Sequence, residues 1–366
     1  MIKALTVGTA TRDVFIQSQL FKVVHDPTHL EKLGFPTGEA QCFALGGKIE
    51  VGRPAFTIGG GAANAAVTFS RQGFKAEALI KIGRDPSGRD VISHLKDEKV
   101  GVRAVLDSKA GTAYSAILLS PGGERTILNY RGASEDLRLN DFSTNTFKVQ
   151  VGYIVPGRIP FEVIKKIVQK LRVNGAFVAM NPSKYYLEMG AKKLKPIFDN
   201  LDLILVNREE GAYLTGAKYE DERGIFKKFD KLVRGLAVMT DGPKGVMVSD
   251  GQKIYQAGIY KEKKIVDRTG AGDAFGSGFA AGLLRQVSSI LEKKSKISNG
   301  AGKYQVSSNR NQFKFNTEAI EYAIRLGSAN ATSVVEAIGA EPGILTQKQF
   351  KNETRWGDLK IKVEEI

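Results

Sequence analysis

From Val151 onward, short runs of unbroken apolar residues alternate with helical stretches, and this alternation limits the fold more than any other feature. Val151–Val155, Ala176–Met180, Leu203–Val206 and Leu236–Thr240 read as strands. A helix is expected over Pro160–Arg172 and another from Arg208. Lys244–Ser249 should pair across a Gly-Pro turn with Leu236–Thr240 or a neighbour. Strands that are apolar on both sides and separated by helices belong to a parallel sheet covered on both faces. The expected class is therefore α/β, a doubly wound, mostly parallel sheet flanked by helices.

The N-terminal half adds to this pattern and departs from it. Lys3–Gly8 reads as a buried opening strand that runs into a polar turn, Thr9–Asp13. Gly61–Gly73 is a small-residue helix, followed by a strand over Ala76–Ile82 and a second helix to about Lys99. Thr112–Leu119 and Arg125–Tyr130 flank Pro121-Gly122-Gly123 as a hairpin. Two regions, about 14–58 and 110–133, are too broken by glycine and proline for the main sheet, and together predict a small β lid over its edge. Residues 288–316 hold six basic residues, one Glu and many polar ones, and read as a flexible basic insertion. The whole chain, 1–366, is expected to form a single domain.

Composition narrows the function classes. A lone cysteine, Cys42, rules out an internal disulfide framework and suits a reducing cytosol. The first residues do not read as a signal peptide, and no run reaches the roughly 18 to 20 apolar residues of a membrane span. A cytoplasmic protein without a membrane partner is expected. The net charge of +15 is spread along the chain rather than gathered with aromatics, which argues against a nucleic-acid partner. A basic surface still concentrates anions such as ATP.

The chemistry concentrates at Gly270-Ala271-Gly272-Asp273, at the start of a helix over Ala274–Arg285. Free backbone N–H groups at a helix N-terminus, on residues too small to block a phosphate, form an anion site. A carboxylate there cannot ligate phosphate, but it can take the proton of a hydroxyl about to attack one. The pair reads as phosphoryl transfer to an alcohol; the plainer alternative is a Gly-rich loop capped by Asp before a buried helix. Ile58-Gly-Gly-Gly-Ala-Ala-Asn64 opens another helix, and Asn64 offers a donor and an acceptor to a hydroxyl-rich molecule. A tightly packed helix start explains it equally well. Asp13, just past the first strand, lies at the carboxyl edge where open α/β sheets bind ligands. Asn207 and Glu210 follow a strand and could hold hydrated Mg²⁺ through its waters, or form only an N-cap and its capping-box partner. Thr240-Asp-Gly-Pro-Lys-Gly245 would let a nucleotide pass close, or be a bare turn. No G-x-x-x-x-G-K-[ST] loop occurs, Gly276–Ala281 has no strand before it as a dinucleotide fingerprint requires, and His25, His29 and His94 form no zinc pattern.

In this order the pieces resemble the ribokinase-like (PfkB) family of carbohydrate kinases, from Val7 to about Gly343. Gly59–Asn64 is similar to the family's N-terminal signature, Gly83–Gly88 to its G-x-D-x-x-G turn, and Asp267–Phe275 to its D-T-T-G-A-G-D-x-F signature. Asn207–Glu210 resembles the N-x-x-E element and Thr240–Gly245 the T-x-G-x-x-G loop. The resemblance implies MgATP-dependent phosphorylation of a primary hydroxyl, with Asp273 as general base and Gly270, Ala271 and Gly272 as anion hole. It implies that Asp13, Gly60, Gly61 and Asn64 bind the acceptor, and that Asn207 and Glu210 organise Mg²⁺ through water. Asn207, Thr240, Gly242, Gly245, Gly272 and residues near Ser328 and Asn330 would line the ATP site. It also allows a homodimer through the β lid. Two departures stand out. Arg268 replaces the usual Thr, and Gly343 supplies no side-chain oxygen where K⁺-activated members need one, which argues against K⁺. The acceptor is expected to be a sugar. A nucleoside, which also carries a ribose, is the nearest alternative, and a silent sugar- or nucleotide-binding protein of the same fold the more distant one.

Overall fold

The computed structural model describes residues 1–34, 38–120, 125–286, 313 and 315–366. A ten-stranded sheet runs through it. From edge to edge come β16 (Ile361–Glu365), β15 (Lys253–Ala257), β14 (Val246–Ser249), β13 (Leu236–Thr240), β12 (Leu203–Asn207), β11 (Phe177–Met180), β10 (Val151–Val155), β1 (Lys3–Gly8), β6 (Lys75–Gly83) and β7 (Gly101–Asp107). The strands from β7 to β13 are parallel, and β14, β15 and β16 continue the sheet antiparallel.

The apolar runs follow from burial on both faces, because alternate residues of a strand point to opposite sides. Ala4, Val151, Tyr153, Leu203 and Leu205 pack with the helices Gly61–Arg71, Ala271–Gln286 and Thr317–Val334. Leu5, Val7, Ile154, Ile204 and Val206 pack with Phe161–Val173, Ala191–Phe198 and Glu222–Leu232. The small residues along Ala271–Gln286 serve close helix packing. A Cβ on Gly278 would lie 3.2 Å from the Gly327 Cα, and one on Gly282 2.9 Å from the Ala323 Cα. Among the described residues no helix is long and apolar enough to cross a membrane.

Strand order reverses at β1, with β6 and β7 on one side and β10 to β13 on the other. Such a switch opens a crevice at the carboxyl edge of a doubly wound sheet. There the last residue of β1, Gly8, lies so close to the Val155 carbonyl of β10 that no side chain would fit.

A second sheet covers this edge, in the order β5 (Ala55–Gly59), β2 (Thr11–Gln17), β8 (Ala113–Leu119) and β9 (Arg125–Tyr130). Its central pair, β2 and β8, is parallel and its outer pairs are antiparallel. β3 (Lys22–His25) and β4 (Glu39–Cys42) form a separate antiparallel pair. The expected polar turn at Thr9–Asp13 needs correction: Asp13 is the third residue of lid strand β2, paired in register with Thr57 and Ser115. The Gly83–Gly88 turn anchors the lid. Asp85 takes the Gly88 amide, and both the amide and hydroxyl of Thr112, at 2.7 Å each. Burial alone would raise the pKa of Asp85, but these donors hold it below the usual carboxylate range. The expected insertion at 288–316 falls almost wholly outside the described residues; Phe313 and Phe315 meet Phe177 edge-on, with ring centres 5.5 and 6.0 Å away.

Candidate active site

The acceptor-side residues gather at the switch point. Gly60 takes φ +93°, and a Cβ there would lie 2.7 Å from the Ala10 Cα, so only glycine turns the chain from β5 into the Gly61 helix. Gly61 abuts Val155, and Gly59 abuts the Asp13 carboxylate. The Asp13 side chain is buried, and Thr11 Oγ1 donates to its Oδ1 at 2.9 Å. Burial pushes its pKa up; hydroxyl bonds from Ser115 and Thr11 and the charge of Arg12 oppose this, while the charge of Asp267 adds to it.

Asn64 and Asp273, 209 residues apart, meet directly: Asn64 Nδ2 donates to Asp273 Oδ2 at 2.9 Å. Asn64 thus holds the expected base, and its buried Oδ1 has no partner among the described residues. Burial raises the pKa of Asp273, and the Asn64 bond opposes the rise. The first-turn amides beside it have no intrahelical acceptors. Gly270, at φ +78°, presses on Ala340, and a Cβ on Gly272 would meet nothing within 4 Å. The preceding loop is pinned by buried Asp267, which accepts from Thr269 N at 2.9 Å, Thr269 Oγ1 at 2.7 Å and Gly339 N at 3.1 Å. Val266 N also donates to Val335 O at 2.8 Å, which ties this loop to the segment after the Thr317–Val334 helix. Arg268 is exposed.

The nucleotide-side residues lie further along the same edge, with Asn207 and Thr240 in register at the ends of β12 and β13. Asn207 and Glu210 form a complete capping box: Glu210 N donates to Asn207 Oδ1, and Asn207 N to Glu210 Oε2, both at 2.8 Å. Burial raises the pKa of Glu210, against the bond from the Asn207 amide. Gly242 faces open space at φ +50°, whereas Gly245 abuts the Ala257 carbonyl and shapes the turn into β14. Asn330, expected near the ATP site, lies in the Thr317–Val334 helix. It is fully buried, accepts from Leu345 N at 3.0 Å and donates to Ala274 O at 3.5 Å, so both ends of its amide are held inside the core. Ser328 is also buried in that helix. Among the described residues no group of three His, Cys, Asp or Glu side chains could hold a metal ion. One carboxylate beside an amide is the donor set expected of an Mg²⁺ ion held through its waters.

Sequence reasoning missed the residue that joins the two nucleotide motifs. Arg208, buried inside the N-x-x-E element, bonds Asp241 Oδ2 at 2.8 Å, Glu222 Oε1 at 2.6 Å and the Tyr219 carbonyl at 2.8 Å. Burial would raise the pKa of Asp241, but Arg208 and Tyr219 hold it down. The available signal was opposite charge at the variable positions of neighbouring motifs.

Comparison with known proteins agrees with this layout. Residues 35–347 match the pfkB family carbohydrate kinase. Probable fructokinase-7 of Arabidopsis thaliana is 29% identical over 269 residues, which cover 68% of this chain and 77% of that protein. Cytidine kinase of Thermococcus kodakarensis is 30% identical over 240 residues, 64% of this chain and 83% of that one. The structure of Arabidopsis thaliana ribokinase complexed with ribose and ATP superimposes with a TM-score of 0.70 at 20% identity, covering 98% of this chain and 99% of that one. The family match takes in the Gly59–Asn64 run, the Asn207 cap and the Asp273 helix, and with most of its length inside that match this protein belongs to the pfkB family of carbohydrate kinases, ATP-dependent enzymes that phosphorylate a hydroxyl group.

Proposed function

We propose that the protein transfers the γ-phosphoryl group of ATP to the primary hydroxyl of a small free sugar, with Asp273 as general base. The hydroxyl proton passes to the Asp273 carboxylate, the oxygen–phosphorus bond forms, and the bond to the β-phosphate oxygen breaks to release ADP. One observation carries this reading: the carboxyl of Asp273 is held by Asn64 immediately beyond the small residues Gly270–Gly272. The amides at this helix start would stabilise charge on the transferred group. Asp13, Gly60, Gly61 and Asn64 would hold the sugar. Asn207, Thr240, Gly242 and Gly245 would flank the nucleotide, with Asn207 and Glu210 reaching Mg²⁺ through water. The ion would neutralise phosphate charge once bound. The cytidine kinase relative supports a nucleoside as second reading.

The exposed edge strand β9, with Ile127, Leu128 and Tyr130 open to solvent, supports a homodimer through the lid. The reducing cytosol suits exposed Cys42. An ADP-release assay over pentoses, hexoses, sugar phosphates and nucleosides tests the assignment. Turnover with a free sugar above all others is expected. A preference for nucleosides would move the assignment to the second reading, and no turnover on any acceptor would make the protein a binding protein of this fold.

A further inference from the structure

Tyr153 is the one aromatic residue of β10, and its ring points into the core below the Asp273 helix. The residue is 1% exposed, and its hydroxyl has no partner among the described protein groups. Gly276, three residues past Asp273, lies directly above it: a Cβ on Gly276 would sit 2.6 Å from the Tyr153 oxygen. Any side chain there would collide with the phenol oxygen. Phe69, on the helix that carries Asn64, meets the Tyr153 ring edge-on at 5.7 Å and fixes its direction. Burial and the negative charge of Asp273 both keep the phenol protonated, and so a donor. The Asn64 Oδ1 atom is a second buried polar atom without a partner among the described residues, on the side chain that donates to Asp273.

An unmet buried hydroxyl is costly, and a buried water with about three partners is the usual remedy. We propose that Tyr153 is a positioning residue for the general base, its O–H reaching the Asp273 carboxylate through one water shared with Asn64 Oδ1. No covalent step is involved. The phenol adds a donor to the charged form of Asp273, and so keeps the base ionised at a lower pH than Asn64 alone would.

This inference rests on Asp273 being the base, and the test separates the two claims. The pH dependence of kcat is measured for the full-length protein, for Tyr153→Phe and for Asp273→Asn, at saturating ATP and acceptor. Removing a donor from a carboxylate favours its protonated form, so Tyr153→Phe should move the acid limb up by roughly half to one pH unit. The ATP KM should not change. Tyr153→3-fluorotyrosine, a stronger donor of nearly the same shape, should move the limb down and covers the case in which the Phe variant packs poorly. If both limbs superimpose on wild type, even with a uniformly lower kcat, Tyr153 is only structural and the proposal fails. If Asp273→Asn keeps its turnover, the base assignment fails, and this proposal with it.

Discussion

The acceptor side and the nucleotide side of the cleft are built on opposite plans. On the proposed acceptor side Asp13 and Asp273 are carboxyls whose pKa values burial drives upward, and Asn64 keeps a buried carbonyl oxygen with no partner among the described residues. On the nucleotide side the polar groups already satisfy one another, Asn207 with Glu210 in a capping box and Arg208 with Asp241. Buried charge and unmet polar atoms cost stability and are held ready for a ligand, whereas a completed cap stabilises the protein whether or not a ligand comes. Neutralising the buried acceptor-side carboxyls should therefore spare or raise stability, whereas removing the Asn207 cap should lower it.

The largest effect is expected at Asp273. Its folded pKa lies above the unfolded value of 3.8, so the stability it contributes is full below that pH and lost as pH rises through the raised value. At neutral pH the ionised group is a liability to the fold. Asp273→Asn should lower kcat by roughly 10²–10⁴-fold, the usual span for general-base loss, yet raise the melting temperature at pH 7. The stability gain should shrink toward pH 3.8 and vanish below it. Parallel kinetics and thermal unfolding at the two pH values check both halves. A variant that is inactive and also less stable at pH 7 would break the comparison on this side.

Asp13 should follow with a smaller and different signature. A charge-assisted bond to a sugar hydroxyl contributes roughly 1.5–3 kcal/mol, so Asp13→Asn should raise the acceptor KM by about ten- to a hundredfold. The ATP KM should hardly move. Burial raises the pKa of Asp13 as well, so the variant should be no less stable than wild type at pH 7. Steady-state kinetics with each substrate varied in turn decides the point. A shift in the ATP KM with the acceptor KM spared would reverse the placement of the two sites.

Much of this layout was readable because glycine and unbroken apolar runs have few physical explanations. β10 to β13 lie within a residue or so of their expected bounds, since strands covered on both faces need apolar residues throughout. β7 and β16 are edge strands of mixed, partly exposed residues and carry no such run. Asp13 looked like a turn because β2 opens with the polar run Thr11-Arg12-Asp13, which lacks the apolar character of the strand residues that follow. Asp85 with Thr112, and Arg208 with Asp241, were unreadable for another reason. Their partners lie 27 and 33 residues away and meet only through the order of strands in the sheets. Asn330 shows the converse: a residue named through the resemblance alone also holds hydrogen bonds in the core.

The smallest effects are expected at Asn207 and Glu210, and they test the comparison most closely because cap and metal roles coincide there. Loss of an N-cap side chain typically costs about 1 kcal/mol, so Asn207→Ala should lower the melting temperature modestly. Glu210→Gln separates the two roles. Glutamine can still accept the Asn207 amide in a capping box, so the helix start should survive. Burial also raises the pKa of Glu210, so removing its charge should not lower stability at neutral pH. What the variant does lose is the negative charge that would draw a hydrated Mg²⁺ ion held on the nucleotide. The Mg²⁺ concentration for half-maximal activity should therefore rise, while the acceptor KM and the melting temperature stay near wild type. Mg²⁺ titrations that superimpose for Glu210→Gln and wild type would leave this element as a helix cap alone, and would place the metal's anchor elsewhere along the carboxyl edge.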